Sequence, residues 1–207
     1  RLDDSLCDPK YLRELESVNK IIPVISCVDV PGLDCTHIFQ EEEESTDQLI
    51  RYMAEKGYQD VLLMGGYSQV RTTSVRRNKI IKYAKQYGIN IRQEIIDCDY
   101  SADGGNIAMQ ELIEKGNLPQ AIICINDLVA TGALNELYKN RLRVPQDVAI
   151  VGYDDLATSK FIYPGITTIG CNYKEYSKAI VKAIEDIETN KIGNVKIPTE
   201  LVVRGTT

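Results

Sequence analysis

The feature that most constrains the fold is a regular alternation between short apolar runs and longer segments with helical periodicity. Six runs rich in Val, Ile and Leu predict strands, at residues 21–27, 61–64, 93–98, 121–125, 148–152 and 200–203. Most of them are almost continuously apolar, which is typical of strands that are buried on both faces of a sheet. Alternation at this spacing predicts right-handed βαβ units and an α/β fold, in which helices flank a parallel sheet.

Five segments between these runs carry apolar residues at helical spacing, at residues 49–54, 80–87, 109–113, 130–137 and 176–187. The first three are followed by Gly57, Gly88 and Gly116. Glycine at this place is a common helix stop, because it adopts the left-handed conformation without steric cost. Asn172 precedes the fifth segment and is expected to cap that helix.

The composition excludes several classes of protein. The formal net charge is −6 and no stripe of Lys or Arg dominates, so these residues are not expected to grip nucleic acid themselves. No apolar run approaches the roughly 18 residues of a membrane span. The chain starts without a charged and then apolar signal region. Together these features predict a cytoplasmic protein that does not enter the membrane.

Neither a metal, a cofactor nor a catalytic site is indicated by a motif. The six cysteines are scattered without a C-x-x-C pair, and we interpret them as buried, reduced thiols that act as small apolar residues: Cys7, Cys27, Cys35, Cys98, Cys124 and Cys171. His37 is the single histidine, so zinc-ligand spacing is absent. No phosphate-binding glycine loop and no nucleophile motif occurs. We therefore expect neither metal nor cofactor, and recognition rather than catalysis.

Polar residues follow the predicted strands, and parallel sheets bind ligands at the carboxyl ends of their strands. Asn126 and Asp127 follow one strand and open a helix. One of them is expected to cap that helix, which leaves the other able to point towards a ligand. Asp154 and Asp155 follow the next strand, either as solvated loop charges or as carboxylates that accept from ligand hydroxyl or base N–H groups.

Arginines and an aromatic residue follow two other strands. One interpretation of Arg71, Arg76 and Arg77 is a solvated basic patch. The other is that one of these cations binds a ligand or Asp154, because a cation at a helix start opposes the helix dipole and needs a specific partner. Tyr100 either covers the edge of the core or stacks on a ligand ring. The acidic run 41–44 suits a helix N-terminus, and one member could instead accept a hydrogen bond from a ligand.

Four segments, in this order, resemble the LacI/GalR family of transcriptional regulators: Asn126–Gly132, Arg143–Asp155, Pro164–Ile169 and Leu201–Thr206. Weaker similarities lie at Ile22–Ile25 and Leu49–Gly57. The resemblance implies a periplasmic-binding-protein-like fold, with two α/β subdomains joined by three crossovers and an effector cleft. By similarity, residues 1–41 and 171–197 form the N-terminal subdomain, and residues 42–169 and 198–207 form the C-terminal one. The family's headpiece and first βα units are expected to precede residue 1, which makes the N-terminal subdomain incomplete.

The resemblance also implies a function and a set of site residues. The family's effector contacts fall at Asp154, Asn126, Arg76, Tyr100, Arg71, Thr72 and Glu41. The surroundings of two of these residues depart from the family pattern. The pattern Arg-x-x-Gly-Phe/Tyr is Arg-Arg-Asn-Lys-Ile from Arg76 onwards, and Asp-Asn-x-x-Gly is Glu-Glu-Glu-Glu-Ser from Glu41 onwards.

The function that the resemblance implies is that of a homodimeric regulator. It senses a small effector. Asp and Asn favour a sugar, although an aromatic residue with Arg also suits a purine. Operator DNA would be bound through a headpiece that this chain does not contain. The alternative is the solute-binding protein of a sugar transporter, which shares the fold and the cleft. An α/β enzyme is the least favoured interpretation, because no nucleophile, metal set or phosphate loop is found.

Overall fold

The computed structural model of the protein describes residues 9–189 and 193–207. Its helices are α1 (Pro9–Asn19), α2 (Glu43–Glu55), α3 (Arg71–Tyr87), α4 (Ala102–Lys115), α5 (Asp127–Lys139) and α6 (Tyr173–Glu185), and a 3₁₀ turn follows at Asp186–Thr189. Its strands are β1 (Ile25–Ser26), β2 (Thr36–Glu41), β3 (Asp60–Met64), β4 (Asn90–Ile91), β5 (Ala121–Cys124), β6 (Ala149–Asp154), β7 (Thr167–Cys171) and β8 (Asn194–Val202).

The chain divides into two compact units. The first unit takes in the chain up to Glu42 together with Cys171–Thr199, and the second takes in Glu43–Gly170 together with Glu200–Thr207. Each unit contains parallel strands and helices, so the α/β fold class is confirmed.

The second unit is built on a parallel sheet in the order β7-β6-β5-β3-β4. Successive residues of each strand point to opposite faces, so Leu62 and Met64 enter one core cluster while Val61 and Leu63 enter the other. Helices α4 and α5 cover the first of these faces, and α2 and α3 cover the second. Burial on both faces is the reason why these strands are almost continuously apolar in sequence.

The first unit contains the parallel strands β1, β2 and β8. Its apolar clusters are small: one is centred on Val30, Leu33 and Cys35, and the other on Ile38, Cys171 and Ile197. Neither α1 nor α6 contains a fully buried residue. Both helices therefore contribute partly buried faces instead of core positions.

All five predicted helices are confirmed. Gly88 and Gly116 close α3 and α4 in the left-handed conformation, with φ of 72° and 71°. Gly57 follows α2 with φ of 85°. The expected cap at Asn172 is also present, because its side chain accepts from the Glu175 N–H at 3.2 Å.

The strand predictions were right in the centre of the second unit and partly wrong elsewhere. Strands β3, β5 and β6 lie where residues 61–64, 121–125 and 148–152 predict them. Residues 93–98 form no regular strand and touch the sheet through two isolated bridges, Met64–Ile96 and Gly66–Cys98. The first predicted strand is reduced to Ile25–Ser26, and β2 lies where no strand is predicted.

Candidate functional site

Asn126 lies at the carboxyl end of β5 and caps α5. Its Oδ1 accepts from the Val129 N–H at 2.8 Å, and its Nδ2 donates to the Tyr100 carbonyl at 2.9 Å. The prediction that one residue of the Asn126–Asp127 pair caps the helix is therefore confirmed for Asn126. The same side chain fixes the main chain at Tyr100, which was predicted independently as a site residue.

With Asn126 as the cap, Asp127 is the residue of the pair that was left able to point towards a ligand, but the structure places its side chain in the interior. The side chain is fully buried, where its Oδ2 accepts from the Leu156 N–H at 2.8 Å and from Ser159 Oγ at 2.6 Å. Its Oδ1 accepts from Thr168 Oγ1 at 2.7 Å. Burial raises the pKa of this carboxyl, and the hydrogen bonds act in the opposite direction. The carboxylate reaches this position because Gly152 has no side chain, since a Cβ there would collide with Oδ1.

Arg76 contacts residues at the carboxyl ends of β5 and β6. Its guanidinium carbon is 4.2 Å from the centroid of the Tyr153 ring, and its Nη1 donates to the Ile125 carbonyl at 2.6 Å. The ring is buried, so one face of the cation is shielded from water. A planar guanidinium held in this way is oriented before any ligand arrives, which favours bidentate recognition of oxygen atoms.

Arg77 is buried and has a structural partner set. Its Nη2 donates to the Gly65 carbonyl at 2.6 Å and pairs with Asp97 Oδ1 at 2.9 Å, while its Nη1 donates to Ser68 Oγ at 2.8 Å. A solvated basic patch was therefore the wrong interpretation for this residue. For Arg77 the specific partner is Asp97, instead of the expected ligand or Asp154. The hydrogen bonds from Arg77 to Gly65 and Ser68 hold the loop that follows β3.

Tyr100 lies beside a second aromatic residue that sequence reasoning missed. Its ring is edge-on to Tyr67, with centroids 6.3 Å apart and an interplanar angle of 82°. Its hydroxyl is 2.8 Å from Thr73 Oγ1 in the first turn of α3. The Tyr100 side chain is 37% exposed, so part of the ring surface is open to a ligand.

Arg71 and Thr72 begin α3, directly before the Thr73 that contacts Tyr100. Arg71 is half-buried and its carbonyl accepts from Ser74 Oγ at 2.9 Å, whereas Thr72 is exposed. Glu41 belongs to the first unit, as the last residue of β2, where its Oε2 pairs with Lys196 Nζ at 2.8 Å. Contacts within the second unit thus link Arg76, Asn126 and Tyr100 to the ends of its strands, and they do not include Glu41.

Asp154 and Asp155 end β6 in an unusual backbone conformation, with φ of 102° and 49°. Positive φ is strained for residues other than glycine and is found preferentially at functional sites. Asp155 Oδ1 accepts from Arg204 Nη2 at 2.6 Å, so this carboxylate is engaged in an ion pair. A solvated loop charge was therefore the wrong interpretation for Asp155. Asp154 stays the predicted ligand contact at this strand end.

The surroundings of the histidine and of the described cysteines indicate no ligand-binding or catalytic role. His37 Nε2 lies 2.9 Å from the Leu33 carbonyl in a buried site. Burial raises the pKa of the Cys98 thiol to about 11. The cysteines described in the structure are free thiols, as expected, but Cys27 is exposed and Cys98 is only partly buried. Cys7 lies outside the described residues. Within residues 9–189 and 193–207, no group of three metal-ligating side chains occurs and no helix has the length and apolarity to cross a membrane.

A cavity of about 520 Å³ lies in the first unit, and it is not where the predicted residues are. Its walls come from α1, β1 and α6, and include Asn19, Lys20, Asp34, Lys182 and Asp186. Oriented polar groups lie instead at the strand ends of the second unit. Ligand sites in parallel sheets form where strand ends present fixed polar groups, so the chemistry favours the second unit.

The parallel sheet and the polar groups at its strand ends define the class of an α/β ligand-binding domain. Residues 50–207, well over half of the chain, match the family model of the periplasmic binding protein-like domain. The chain belongs to this family.

Two curated relatives are repressors. The probable HTH-type transcriptional repressor ExuR of Bacillus subtilis is 28% identical over 208 residues, which cover 98% of this chain and 62% of the repressor. The HTH-type transcriptional repressor PurR of Glaesserella parasuis is 32% identical over 120 residues, which cover 58% of this chain and 35% of that protein. The chain thus spans less than two thirds of the length of either relative.

Two solved structures share the fold. The Lac repressor dimer bound to operator and the anti-inducer ONPF superposes with a TM-score of 0.82 at 24% identity, over 96% of this chain and 70% of that one. A LacI family transcriptional regulator from Enterococcus faecium with bound ribose gives a TM-score of 0.82 at 18% identity, over 98% and 76%. With the repressor relatives, these matches confirm the resemblance to LacI/GalR regulators and the periplasmic-binding-protein-like fold.

Proposed function

We propose that the second unit binds a small polar effector at the carboxyl ends of β5 and β6, and that the chain is the effector-sensing part of a transcriptional regulator. A hydroxyl-rich, sugar-like molecule fits the groups present. Asp154 and Asn126 would exchange hydrogen bonds with ligand hydroxyls, and Arg76 would hold a ligand oxygen. Tyr100 would cover an apolar ring face, with Arg71 and Thr72 at the adjacent helix start.

One observation carries this proposal: the guanidinium of Arg76 is held on the Tyr153 ring and on the Ile125 carbonyl, between the strand ends that bear Asn126 and Asp154. Orienting a cation costs conformational entropy, and this cost is met before binding when the side chain is already fixed. The strained backbone at Asp154 supports the same proposal, because strain concentrates where a side chain is presented for function.

In the regulator that we propose, effector binding would change the affinity of a homodimer for operator DNA. Two observations support this proposal: the relatives are named HTH-type repressors, and one neighbour is a Lac repressor dimer bound to operator. Phe161 and Tyr163 are 78% and 92% exposed in the second unit, an apolar surface that suits a protein interface. The effector acts by binding one state of the dimer more tightly than the other.

Calorimetric titration of the chain tests the effector proposal, with a panel of neutral sugars, sugar acids and nucleobases. We expect saturable heat with at least one class. Asp154→Asn and Arg76→Met are expected to weaken that binding about tenfold or more, by the loss of a charge-assisted hydrogen bond. Arg143→Met, which removes an exposed arginine of the same unit, is the matched control and should bind as the unchanged chain does. Absence of saturable heat across the panel would overturn the proposal.

A further inference from the structure

A fully buried carboxylate ties three segments of the second unit together. Asp127, the first residue of α5, accepts hydrogen bonds from the Leu156 N–H, from Ser159 Oγ and from Thr168 Oγ1, at 2.8, 2.6 and 2.7 Å. The first two donors belong to the loop after β6, and the third belongs to β7. A carboxylate without access to water persists only when such donors replace its hydration.

This network reaches the residue that follows Asp154. Thr168 Oγ1, which donates to Asp127, also accepts from the Asp155 N–H at 3.3 Å. The carboxylate therefore holds the main chain at residue 156 directly, and at residue 155 through one hydroxyl. The network thus reaches the main chain next to Asp154, the proposed ligand contact.

The main chain that is held in this way is strained. Asp154 and Asp155 both have positive φ, at 102° and 49°. Such conformations persist in residues other than glycine only when the surroundings over-determine them. Two glycines make room for the holding groups: a Cβ on Gly152 would collide with Asp127 Oδ1, and a Cβ on Gly170 would lie 2.7 Å from the Cβ of Asp155.

We propose that Asp127 is a positioning residue: through Thr168 and the Leu156 N–H, its carboxylate holds the strained turn that aims Asp154 at the ligand. This inference rests on the proposed function of the same strand ends. Three donors converge on the two oxygens of Asp127, and two of them are hydroxyls. An asparagine at this position would require a hydroxyl of Ser159 or Thr168 to turn and accept from the amide NH₂, which would redirect the network that now ends on the carboxylate.

The test uses Thr168→Val, which removes one link of the network and leaves the buried carboxylate its other two donors. Thr168→Ser restores the hydroxyl. Thr206→Val is the matched control: Thr206 is also fully buried, and its Oγ1 accepts from the N–H of the neighbouring Thr167 at 2.8 Å instead of bonding Asp127 or the Asp155 N–H. Calorimetry of the chain with D-ribose, D-gluconate and adenine gives the affinities, and thermal unfolding gives the stability of each variant.

For each probe that binds the unchanged chain, we expect Thr168→Val to lower the affinity about tenfold, because one buried hydrogen bond is lost. Thr168→Ser should bind within about twofold of the unchanged chain. Thr206→Val should lower the melting temperature comparably while leaving affinity within about twofold. Equal affinity losses in Thr168→Val and Thr206→Val would overturn the inference, because both would then reflect general destabilisation.

Amide exchange separates this inference from the proposed function. In the absence of ligand, we expect Thr168→Val to accelerate exchange of the Asp155 amide about tenfold or more, and Thr206→Val to leave it unchanged. If none of the three probes binds the unchanged chain, exchange still decides whether the network holds the turn. Unchanged exchange at Asp155 in Thr168→Val would contradict the inference even if ligands bind.

Discussion

The two units of the chain differ in how much apolar surface their elements bury. In the second unit, every helix contributes fully buried residues, and the two core clusters cover both faces of the sheet. In the first unit, α1 and α6 contribute none, and each cluster is centred on three buried residues. Since apolar burial is the main source of stability, the second unit is expected to be the more stable of the two.

This difference shows why the candidate site lies where it does. Arg76 and Asn126 belong to helices that pack a buried face on the sheet, and Asp154 ends a strand that is buried on both faces, so their positions are fixed before a ligand binds. The cavity of about 520 Å³ lies in the first unit, but the helices that line it pack only through partly buried faces. Rigid support, and not cavity size, distinguishes the region that we propose for recognition.

The largest expected effect separates the two cores. Ile122 and Ile38 are both fully buried, in the second and the first unit respectively. We expect Ile122→Ala to lower the free energy of unfolding of the second unit by about 2–5 kcal/mol, through the loss of buried methylenes and the cavity left behind. Ile38→Ala should leave the unfolding transition of the second unit in place.

Urea unfolding measured with probes in each unit checks this prediction. Exchange of the β5 and β6 amides reports on the second unit, and exchange of the β2 amides reports on the first. Equal destabilisation of the β5 amides by the two variants would show that the cores unfold as one, which would remove the distinction.

A smaller loss of unfolding free energy is expected when a buried ion pair of the second unit is removed, and an exposed pair serves for comparison. Arg77→Met should cost about 2 kcal/mol, because it leaves the Gly65 carbonyl and Asp97 without their buried cation. The cost is limited because the Asp97 side chain is 40% exposed and is partly hydrated. Arg143→Met, which removes the exposed pair with Asp147, is the control and should have little effect. Denaturant titration measures both, and similar costs would contradict this account of Arg77.

Backbone strain at the site predicts a difference between two substitutions of one residue. Asp154→Gly and Asp154→Ala both remove the carboxylate, but only glycine adopts φ near 102° without strain. We expect the glycine variant to be more stable than the alanine variant by about 1 kcal/mol, and neither to bind ligand. Thermal unfolding of the pair measures this difference. Equal stabilities would mean that the turn is not strained.

The smallest effect depends on pH. Hydrogen bonds from the Arg143 side chain and N–H lower the pKa of Asp147 from its ordinary 3.8 to about 2. Because the pKa is lowered in the folded state, the stabilisation is present above pH 3.8 and is lost as the pH falls towards 2. Asp147→Asn should therefore weaken the dependence of the melting temperature on pH between 4 and 2. A constant offset between the two proteins across this range would contradict the assignment.

The parts of the fold that could be predicted from the sequence are those dictated by local periodicity. Helices ending at Gly88 and Gly116, and strands buried on both faces, have patterns that can be read in the chain. Strand β7 could not be found in this way, because it contains two polar residues, Thr167 and Thr168. Their burial depends on hydrogen bonds from their hydroxyls to groups that are distant in sequence. Residues 93–98 look like a strand but lie at the sheet margin, where pairing is reduced to single bridges.

The site was predictable to a similar extent. Strand ends locate Asn126 and Asp154, since ligand-contacting residues follow the strands of a parallel sheet. The support of Arg76 by Tyr153 was not predictable, because it joins residues that are remote in sequence. The inward position of Asp127 left one signal that was not used: Gly152, a glycine in an otherwise apolar buried strand, indicates the close approach of another group.

The central claim is that recognition occurs at the strand ends of the second unit, and NMR titration of the isotope-labelled chain tests it most directly. The ligand is the member of the sugar, sugar-acid and nucleobase panel that gives saturable heat. We predict saturable shifts at the amides of Arg76, Asn126 and Asp154, which Asp154→Asn reduces. Shifts confined to the cavity of the first unit, around Asn19, Asp34 and Lys182, would contradict the claim.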